Sequence, residues 1–242
     1  MKQAYQTYTA NDQAVWQMLY ERQMKQLPPI ASHAYLEGIE KVGFVADHIP
    51  DFENETNPRL RSLTGWEVEA VPGLIPQKEF FELLANRKFP ASTWLRKPEQ
   101  LDYLEEPDMF HDTFGHVPLF TNQAFCDFMG DLSRVALRWL HVPEAITQIG
   151  RLYWYTVEFG LIQEDNQLKI YGGGILSSAG ESMYCLNEVI PKISFDVRRL
   201  LNTPYHIDRY QDCYFVINSY EQLYRSTPDI EEILSDTYLV AG

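Results

Sequence analysis

The sequence predicts a mostly α-helical fold, of the α+β class with minor strands, organised as one domain. Apolar residues recur at helical spacing in several long stretches, whereas the runs with strand character are brief. The 242 residues contain no repeat, no low-complexity tract and no linker composition. Length alone allows one large domain or two small ones, so the missing linker favours a single domain over 1–242.

The first part of the chain predicts two helices followed by a loop. Apolar residues at helical spacing follow Asp12, and Leu27-Pro28-Pro29 ends that helix. Ser32 can cap a short second helix, which closes near Gly43 because glycine accepts the left-handed backbone of a helix end. Residues 44–75 are rich in proline and glycine, and they predict loop with one brief strand.

The rest of the chain predicts further helices and one strand. Pro76 suits the start of a helix that runs to about Asn86, with Phe80, Leu83 and Leu84 inward. The later elements are helices over 122–140 and 144–160, a strand over 168–171, a glycine turn over 172–174 and a helix from about Ser178.

The composition argues against several classes of protein. A net charge of −14 with no offsetting basic tract disfavours a nucleic-acid-binding surface. No apolar segment approaches the length of a membrane span, and the start of the chain lacks the apolar run of a secretory signal. The three cysteines lie far apart in no metal-binding or redox spacing, which fits a reducing compartment. We therefore expect a cytoplasmic protein that binds neither nucleic acid nor membranes.

Two histidines stand five residues apart in DMFHDTFGHVPLF (108–120). On a continuous α-helix, side chains at this spacing point roughly 140° apart. Gly115 is a natural helix end and Pro118 favours extended backbone before it, so His116 could swing back toward His111. The pair is then compatible with two metal ligands, while satisfied or surface histidines remain an alternative.

A carboxylate lies in the apolar stretch RLYWYTVEFGLI (151–162), whose pattern is typical of a buried helix. Buried Glu158 needs a metal or a basic partner, because an unpaired charge in the interior is costly. The candidate basic partners are Arg134, Arg138 and Arg151. Two histidines and one carboxylate also form the facial ligand set of a non-haem iron site or a catalytic zinc site, so the residue types leave the metal open.

Five segments, in this order, resemble the pterin-dependent aromatic amino acid hydroxylases, and above all the short bacterial members that act on phenylalanine. They are LTGWEVEAVPGLIP (63–76), FFELLANRKFPASTWLRKPEQLDYL (80–104), EPDMFHDTFGHVPLF (106–120), LYWYTVEFGL (152–161) and YGGGILSSAGE (171–181). The resemblance extends over about residues 5–220.

The resemblance implies a mostly helical catalytic domain in which His111, His116 and Glu158 hold Fe(II) and form the catalytic centre. It implies a monooxygenase that converts L-phenylalanine to L-tyrosine with O2 and a tetrahydropterin, either tetrahydrobiopterin or a related pterin. Hydroxylation of L-tryptophan, or of L-phenylalanine at the meta position, stays open. A zinc hydrolase with the same ligands is an alternative, although the sequence lacks the adjacent base of an HExxH arrangement. A third alternative is a protein that binds an amino acid or a pterin without catalysing a reaction.

The resemblance also implies a substrate pocket. Arg96 matches an arginine that binds the carboxylate of the amino acid, and a guanidinium can do so through two parallel hydrogen bonds. Pro107 and Trp154 flank the substrate ring, and Gly174 and Ser177 lie near its backbone groups. The alternatives are core packing for Trp154, an ordinary surface position for Arg96, and a tight turn for Gly174. Leu104 stands where the animal members carry a substrate-binding threonine.

On the pterin side, Phe80 matches the aromatic residue on which the pterin ring stacks, although core packing is the alternative for this residue. Asp112 stands where animal members carry a glutamate. The implied pterin-binding residues are Gly73, Leu74, Ile75, Phe80, Asp112 and Tyr153. Glu181 is either an acid that orients a metal ligand or an ordinary carboxylate at a helix N-terminus.

Residues 221–242 show no sustained heptad pattern. Animal members of the family carry an N-terminal regulatory domain and a C-terminal tetramerising helix, whereas the resemblance here begins almost at the first residue. We therefore expect no tetramerisation helix, no regulatory domain, and a monomer or small homo-oligomer.

Overall fold

The computed structural model describes residues 1–101 and 106–239, and helices predominate. The α-helices are α1 (Ala10–Gln26), α2 (His33–Val42), α3 (Asn57–Leu63), α4 (Gln77–Ala85), α5 (Gln123–Trp139), α6 (Pro143–Tyr153), α7 (Gly173–Leu176), α8 (Ala179–Tyr184), α9 (Val197–Leu201), α10 (Tyr220–Arg225) and α11 (Thr227–Tyr238). Three π-helices are π1 (Phe52–Thr56), π2 (Phe110–His116) and π3 (Trp154–Glu158). Short 3-10 helices are Tyr5–Thr7, Pro98–Gln100 and Val117–Thr121. No helix in the described part of the chain is both long and apolar enough to cross a bilayer.

The strands form two small sheets. They are β1 (Glu67–Val71), β2 (Lys88–Ser92), β3 (Leu161–Glu164), β4 (Gln167–Ile170), β5 (Lys192–Ser194) and β6 (Tyr214–Ile217). β1 and β2 pair in parallel, and the second sheet has the order β4-β3-β6-β5. In that sheet β3 and β4 are antiparallel, and the other two pairs are parallel.

The first two helices confirm the sequence prediction. Thr9 and Asp12 form a reciprocal capping box at the start of α1, which ends before Leu27. Ser32 caps α2 by accepting a hydrogen bond from a backbone N–H, and Gly43 ends this helix with a φ of 71°.

The loop predicted over 44–75 was only partly correct. It contains the expected strand, β1, but also π1 and α3. Pro58 lies in the first turn of α3, which continues directly from π1, so this proline does not break the helical segment.

The predicted helix after Pro76 is α4, but its inward face was partly wrong. Leu84 is buried, whereas Phe80 and Leu83 are half-buried and the adjacent Phe81 is buried in their place.

The core is rich in aromatic rings, and π2 passes through it. The Phe110 and Phe114 rings on π2 stack with their centroids 4.6 Å apart, and Trp16 of α1 packs edge-on against Phe110 at 5.5 Å. All three side chains are fully buried. The histidine-bearing segment is therefore anchored on its apolar side.

The role predicted for Gly115 was wrong. The helix does not end there, since π2 continues to His116 and leads directly into a 3-10 helix. A Cβ atom on Gly115 would lie 2.5 Å from the carbonyl oxygen of Gly173, so glycine is needed for the close approach of α7. The glycines predicted as a turn instead begin that helix.

We expect Gly115→Ala to lower the free energy of unfolding by about 1–3 kcal/mol, because the added methyl group overpacks a rigid backbone contact. Gly150→Ala is the matched control, since Gly150 lies in α6 with no atom within 4 Å of an added Cβ. Alanine should stabilise that helix by up to about 1 kcal/mol. Chemical denaturation of both variants measures the effects, and equal effects would contradict the assigned contact.

Candidate active site

The π-winding explains the unusual histidine spacing. A π-helix closes its hydrogen bonds from residue i to i+5, so residues five apart return to the same side. His111 and His116 in π2 therefore converge without any break, and their ring centroids lie 5.0 Å apart. The helix predicted over 144–160 is α6 continued by π3, and Glu158 is the last residue of this second π segment.

The three side chains meet at one point. The Nε2 atoms of the two histidines are 3.3 Å apart, and Glu158 Oε2 lies 3.6 Å from His111 Nε2 and 3.3 Å from His116 Nε2. Three atoms that share one ion at about 2.1 Å are separated by roughly 3.0–3.5 Å when the bond angles are near 90–110°. The set fits a metal bound on one face, with the other positions left to smaller ligands.

The alternative ion pair between Glu158 and an arginine was wrong, because each candidate arginine has another partner. The contacts are Arg134 with Asp131, Arg138 with Glu231, and Arg151 with the Leu201 carbonyl oxygen.

Burial and mutual contacts shift the pKa values of all three groups, and the shifts of His111 and Glu158 favour metal ligation. Burial lowers the pKa of His111. Burial would raise the pKa of Glu158, but the neighbouring His116 outweighs this effect and lowers it. For His116 burial is likewise outweighed, and the Glu158 carboxylate raises the pKa. A neutral His111 and an ionised Glu158 are the forms that bind a cation.

Ser177 fixes the tautomer of His111. Its hydroxyl donates its single proton to the Gly173 carbonyl at 2.9 Å, so it accepts a hydrogen bond from His111 Nδ1 at 3.0 Å. The proton on Nδ1 leaves the lone pair of Nε2 free for the metal.

Ser177→Ala should lower iron affinity roughly 10- to 100-fold, as loss of a group that orients a metal ligand commonly does. Ser178→Ala is the control. The Ser178 hydroxyl caps α8, so this change should cost about 1 kcal/mol of stability and leave iron affinity unchanged. Iron titration of both purified variants gives the comparison, and equal iron affinities would contradict the role of Ser177.

Asp108 is a site residue that the sequence reasoning missed. Its carboxylate oxygens accept two parallel hydrogen bonds from the Arg96 guanidinium, both of 2.8 Å, and the backbone N–H groups of Arg96 and His111 donate to it as well. Burial opposes its charge, but Arg96 holds the pKa below the usual range. The sequence does contain a signal for this residue. Asp108 is an acid in the apolar run PDMF (107–110), and an acid among apolar residues also identified Glu158.

A large cavity of about 660 Å³ opens on one side of the metal ligands. Trp154 in its wall stacks on Tyr205 with centroids 4.4 Å apart and packs against Phe159 at 5.0 Å. The predicted substrate residues all line this cavity: Arg96, Pro107, Trp154, Gly174 and Ser177. Leu104 lies outside the described residues.

A smaller cavity of about 150 Å³ adjoins the same metal ligands. The Phe80 ring packs edge-on to Tyr153 with centroids 5.5 Å apart. Asp112 accepts a hydrogen bond from the Ser92 N–H at 2.7 Å, and burial raises its pKa. The predicted pterin residues all line this cavity: Gly73, Leu74, Ile75, Phe80, Asp112 and Tyr153. His111 and Glu158 line both cavities, so the metal ligands form part of the wall between them.

Two further aromatic residues, Tyr155 and Phe159, flank Glu158 in the sequence. Tyr155 belongs to the core, since it is buried and its hydroxyl donates to the Pro204 carbonyl at 2.6 Å. Phe159 packs in the core and also lines the large cavity.

Comparison with known proteins agrees with this geometry. The sequence profile of the biopterin-dependent aromatic amino acid hydroxylases matches residues 2–240. Phenylalanine-4-hydroxylase of Chromobacterium violaceum is 49% identical over 231 residues, which cover 95% of this chain and 77% of that protein. The Caulobacter vibrioides phenylalanine-4-hydroxylase is 46% identical, with 93% and 76% covered.

Solved structures of the C. violaceum enzyme are also similar. One with bound iron(III) and oxidised 7,8-dihydrobiopterin superposes with a TM-score of 0.91 at 48% identity, covering 98% of this chain and 86% of that one. Another holds iron and phenylalanine, with a TM-score of 0.90, 46% identity, and 98% and 87% covered.

Proposed function

The chain belongs to the biopterin-dependent aromatic amino acid hydroxylases, and from this premise we propose that it is a phenylalanine 4-monooxygenase. It converts L-phenylalanine to L-tyrosine with O2, Fe(II) and a tetrahydropterin, either tetrahydrobiopterin or a related pterin.

One observation carries the proposal. The metal ligands His111 and Glu158 line two cavities at once, the larger with the expected amino acid residues and the smaller with the expected pterin residues. This arrangement lets substrate and cofactor reach the same ion from different cavities.

Different residues of the large cavity bind different groups of phenylalanine. Arg96 keeps guanidinium N–H groups that Asp108 does not use, and these bind the substrate carboxylate. Pro107 and Trp154 hold the ring, and Gly174 and Ser177 adjoin the backbone groups of the substrate. Apolar side chains in the wall exclude water from the reacting ring.

The pterin residues position the cofactor. Phe80 offers a ring face for stacking, and the backbone of Gly73, Leu74 and Ile75 meets the polar edge of the pterin. Asp112 and Tyr153 close the pocket beside them. When bound, the ferrous ion and the reduced pterin together supply the electrons that activate dioxygen.

Product analysis tests the proposal. The protein is loaded with Fe(II) without oxygen, then given tetrahydrobiopterin, air and either L-phenylalanine or L-tryptophan. We expect tyrosine as the main product, formed only with pterin and oxygen. A dominant meta-tyrosine or 5-hydroxytryptophan product would overturn the substrate assignment, and hydrolytic activity with zinc and no pterin would overturn the reaction class.

Phe80→Ala should raise the KM for the pterin roughly 3- to 10-fold, because an aromatic stacking contact contributes about 0.5–1.5 kcal/mol. The KM for phenylalanine should change less than twofold. Leu83→Ala, a truncation at another half-buried position of α4, is the control for the stability of that helix. Steady-state assays with each ligand varied separately measure both constants, and an unchanged pterin KM would place the ring elsewhere.

The same proposal places the enzyme in the cytoplasm, as one catalytic domain over 1–242 and as a monomer or small homo-oligomer. Its role is phenylalanine breakdown, tyrosine supply or pigment formation. Light scattering on the purified protein measures the oligomeric state.

A further inference from the structure

The large cavity has a buried carboxylate that the proposed chemistry does not use. Glu181 lies in the wall of the cavity, is only 6% exposed, and is not part of the metal-ligand cluster found among the described residues. No salt bridge among the described residues involves it, although buried carboxylates normally have a cationic partner.

Neutral groups hold this carboxylate in place. The Tyr214 hydroxyl donates to Glu181 Oε1 at 2.6 Å, and the backbone of Gln211 also bonds to it. These contacts orient the side chain but supply no positive charge. Burial consequently raises the pKa of Glu181 to about 7.

The other carboxylates of the cavity wall are already accounted for. Glu158 belongs to the metal cluster, while Glu106 and Asp208 are exposed to solvent. The same wall provides Arg96 for a carboxylate and Trp154 for a ring. An L-amino acid brings one further group, an α-ammonium, which requires an anion when it is desolvated.

We propose that Glu181 binds the α-ammonium group of the amino acid substrate and, with Arg96, selects zwitterionic amino acids over simple aryl acids. This inference rests on the proposed function, since it takes L-phenylalanine as the ligand. Tyr214 acts as a positioning residue that aims the Glu181 carboxylate.

The groups around Glu181 determine how its charge responds to pH. Tyr214 from β6 and Cys185, directly after α8, both have pKa values raised by burial, so neither ionises near neutrality. The remaining charged or titratable groups of the cavity wall are Arg22, Arg96, Glu106, His111, Glu158, His206, Asp208, Arg209 and Tyr210. His206→Gln serves as a control, because His206 lines the same cavity.

The test compares ligands that differ only in the ammonium group. Binding of L-phenylalanine and of 3-phenylpropionate, which lacks the ammonium, is measured by calorimetry on the Fe(II)-loaded protein without oxygen. For Glu181→Gln we expect the affinity for L-phenylalanine to fall on the order of 10- to 100-fold, as for a lost charge-assisted contact. The affinity for 3-phenylpropionate should change less than twofold.

Two further variants separate charge from structure. Glu106→Gln removes an exposed negative charge from the same wall and should leave both affinities unchanged. Glu181→Asp keeps the charge and should retain part of the affinity for L-phenylalanine. Thermal unfolding of each variant establishes that it is folded.

A pH series provides the second measurement. The carboxylate loses its charge as pH falls through about 7, so the wild-type affinity for L-phenylalanine should fall on the order of tenfold from pH 8 to pH 6. That dependence should vanish in Glu181→Gln and persist in His206→Gln.

Equal losses for both ligands in Glu181→Gln, or no loss for either, would overturn the inference while leaving the proposed function intact. A folded, iron-loaded wild-type protein that does not bind L-phenylalanine would overturn both.

Discussion

Replacement of His116 by alanine should abolish iron binding and lower turnover by roughly three orders of magnitude or more, because catalysis depends on the bound metal. His116 contributes one of the three atoms that converge within 3.6 Å of one another. With one of them gone, the remaining histidine and carboxylate no longer define a facial site. Iron content after gel filtration and tyrosine formation measure the two effects.

His33→Ala is the control for this variant. His33 lies at the surface, where its side chain is 58% exposed beside two acidic residues, so its loss should affect neither iron content nor turnover. A His116→Ala protein with full iron and full activity would refute the metal assignment. Circular dichroism distinguishes loss of the metal from loss of the fold.

Asp108→Asn should destabilise the protein by about 3–5 kcal/mol, because it leaves the buried Arg96 guanidinium without its counter-charge. The same change should raise the KM for phenylalanine tenfold or more, since Arg96 loses its fixed orientation. It also weakens the acceptor for the His111 backbone N–H, which holds the first turn of π2.

Asp131→Asn provides the comparison, since its pair with Arg134 is on the surface. Exposed pairs contribute about 0–1 kcal/mol, so this change should have little effect on stability and none on KM. Because Arg96 keeps the pKa of Asp108 below its usual range, the Asp108 contribution should persist at pH 5–8 and be lost only in stronger acid. Urea unfolding measures the stability of both variants. Equal losses in the free energy of unfolding would contradict the importance of the buried pair of Arg96 and Asp108.

The sequence led to the correct three metal ligands but to the wrong reason for their convergence. The odd spacing of His111 and His116 identified the segment, and the apolar surroundings of Glu158 identified its burial. Gly115 was interpreted as a helix end because glycine commonly has that role. A π-helix has no comparable sequence signal, since its winding depends on packing, here between the aromatic core and α7.

The minor strands were less predictable than the helices. The strands β2, β3, β5 and β6 have three to five residues each, too few to establish an alternating pattern. Among the site residues, the substrate and pterin positions came from resemblance. Asp108 and the cavity position of Glu181 required the three-dimensional arrangement, because their partners Arg96 and Tyr214 lie 12 and 33 residues away.

The two π segments make the metal centre sensitive to the number of residues as well as to their identity. Each closes one turn with one residue more than an ordinary α-helical turn. A single-residue deletion between His111 and His116 would let this turn relax to α-helical winding and would change the directions in which the two imidazole rings point. Insertions and deletions in this short stretch are therefore expected to be more damaging than most substitutions there. Homologous proteins should keep the length of the stretch constant, while side chains other than the metal ligands vary.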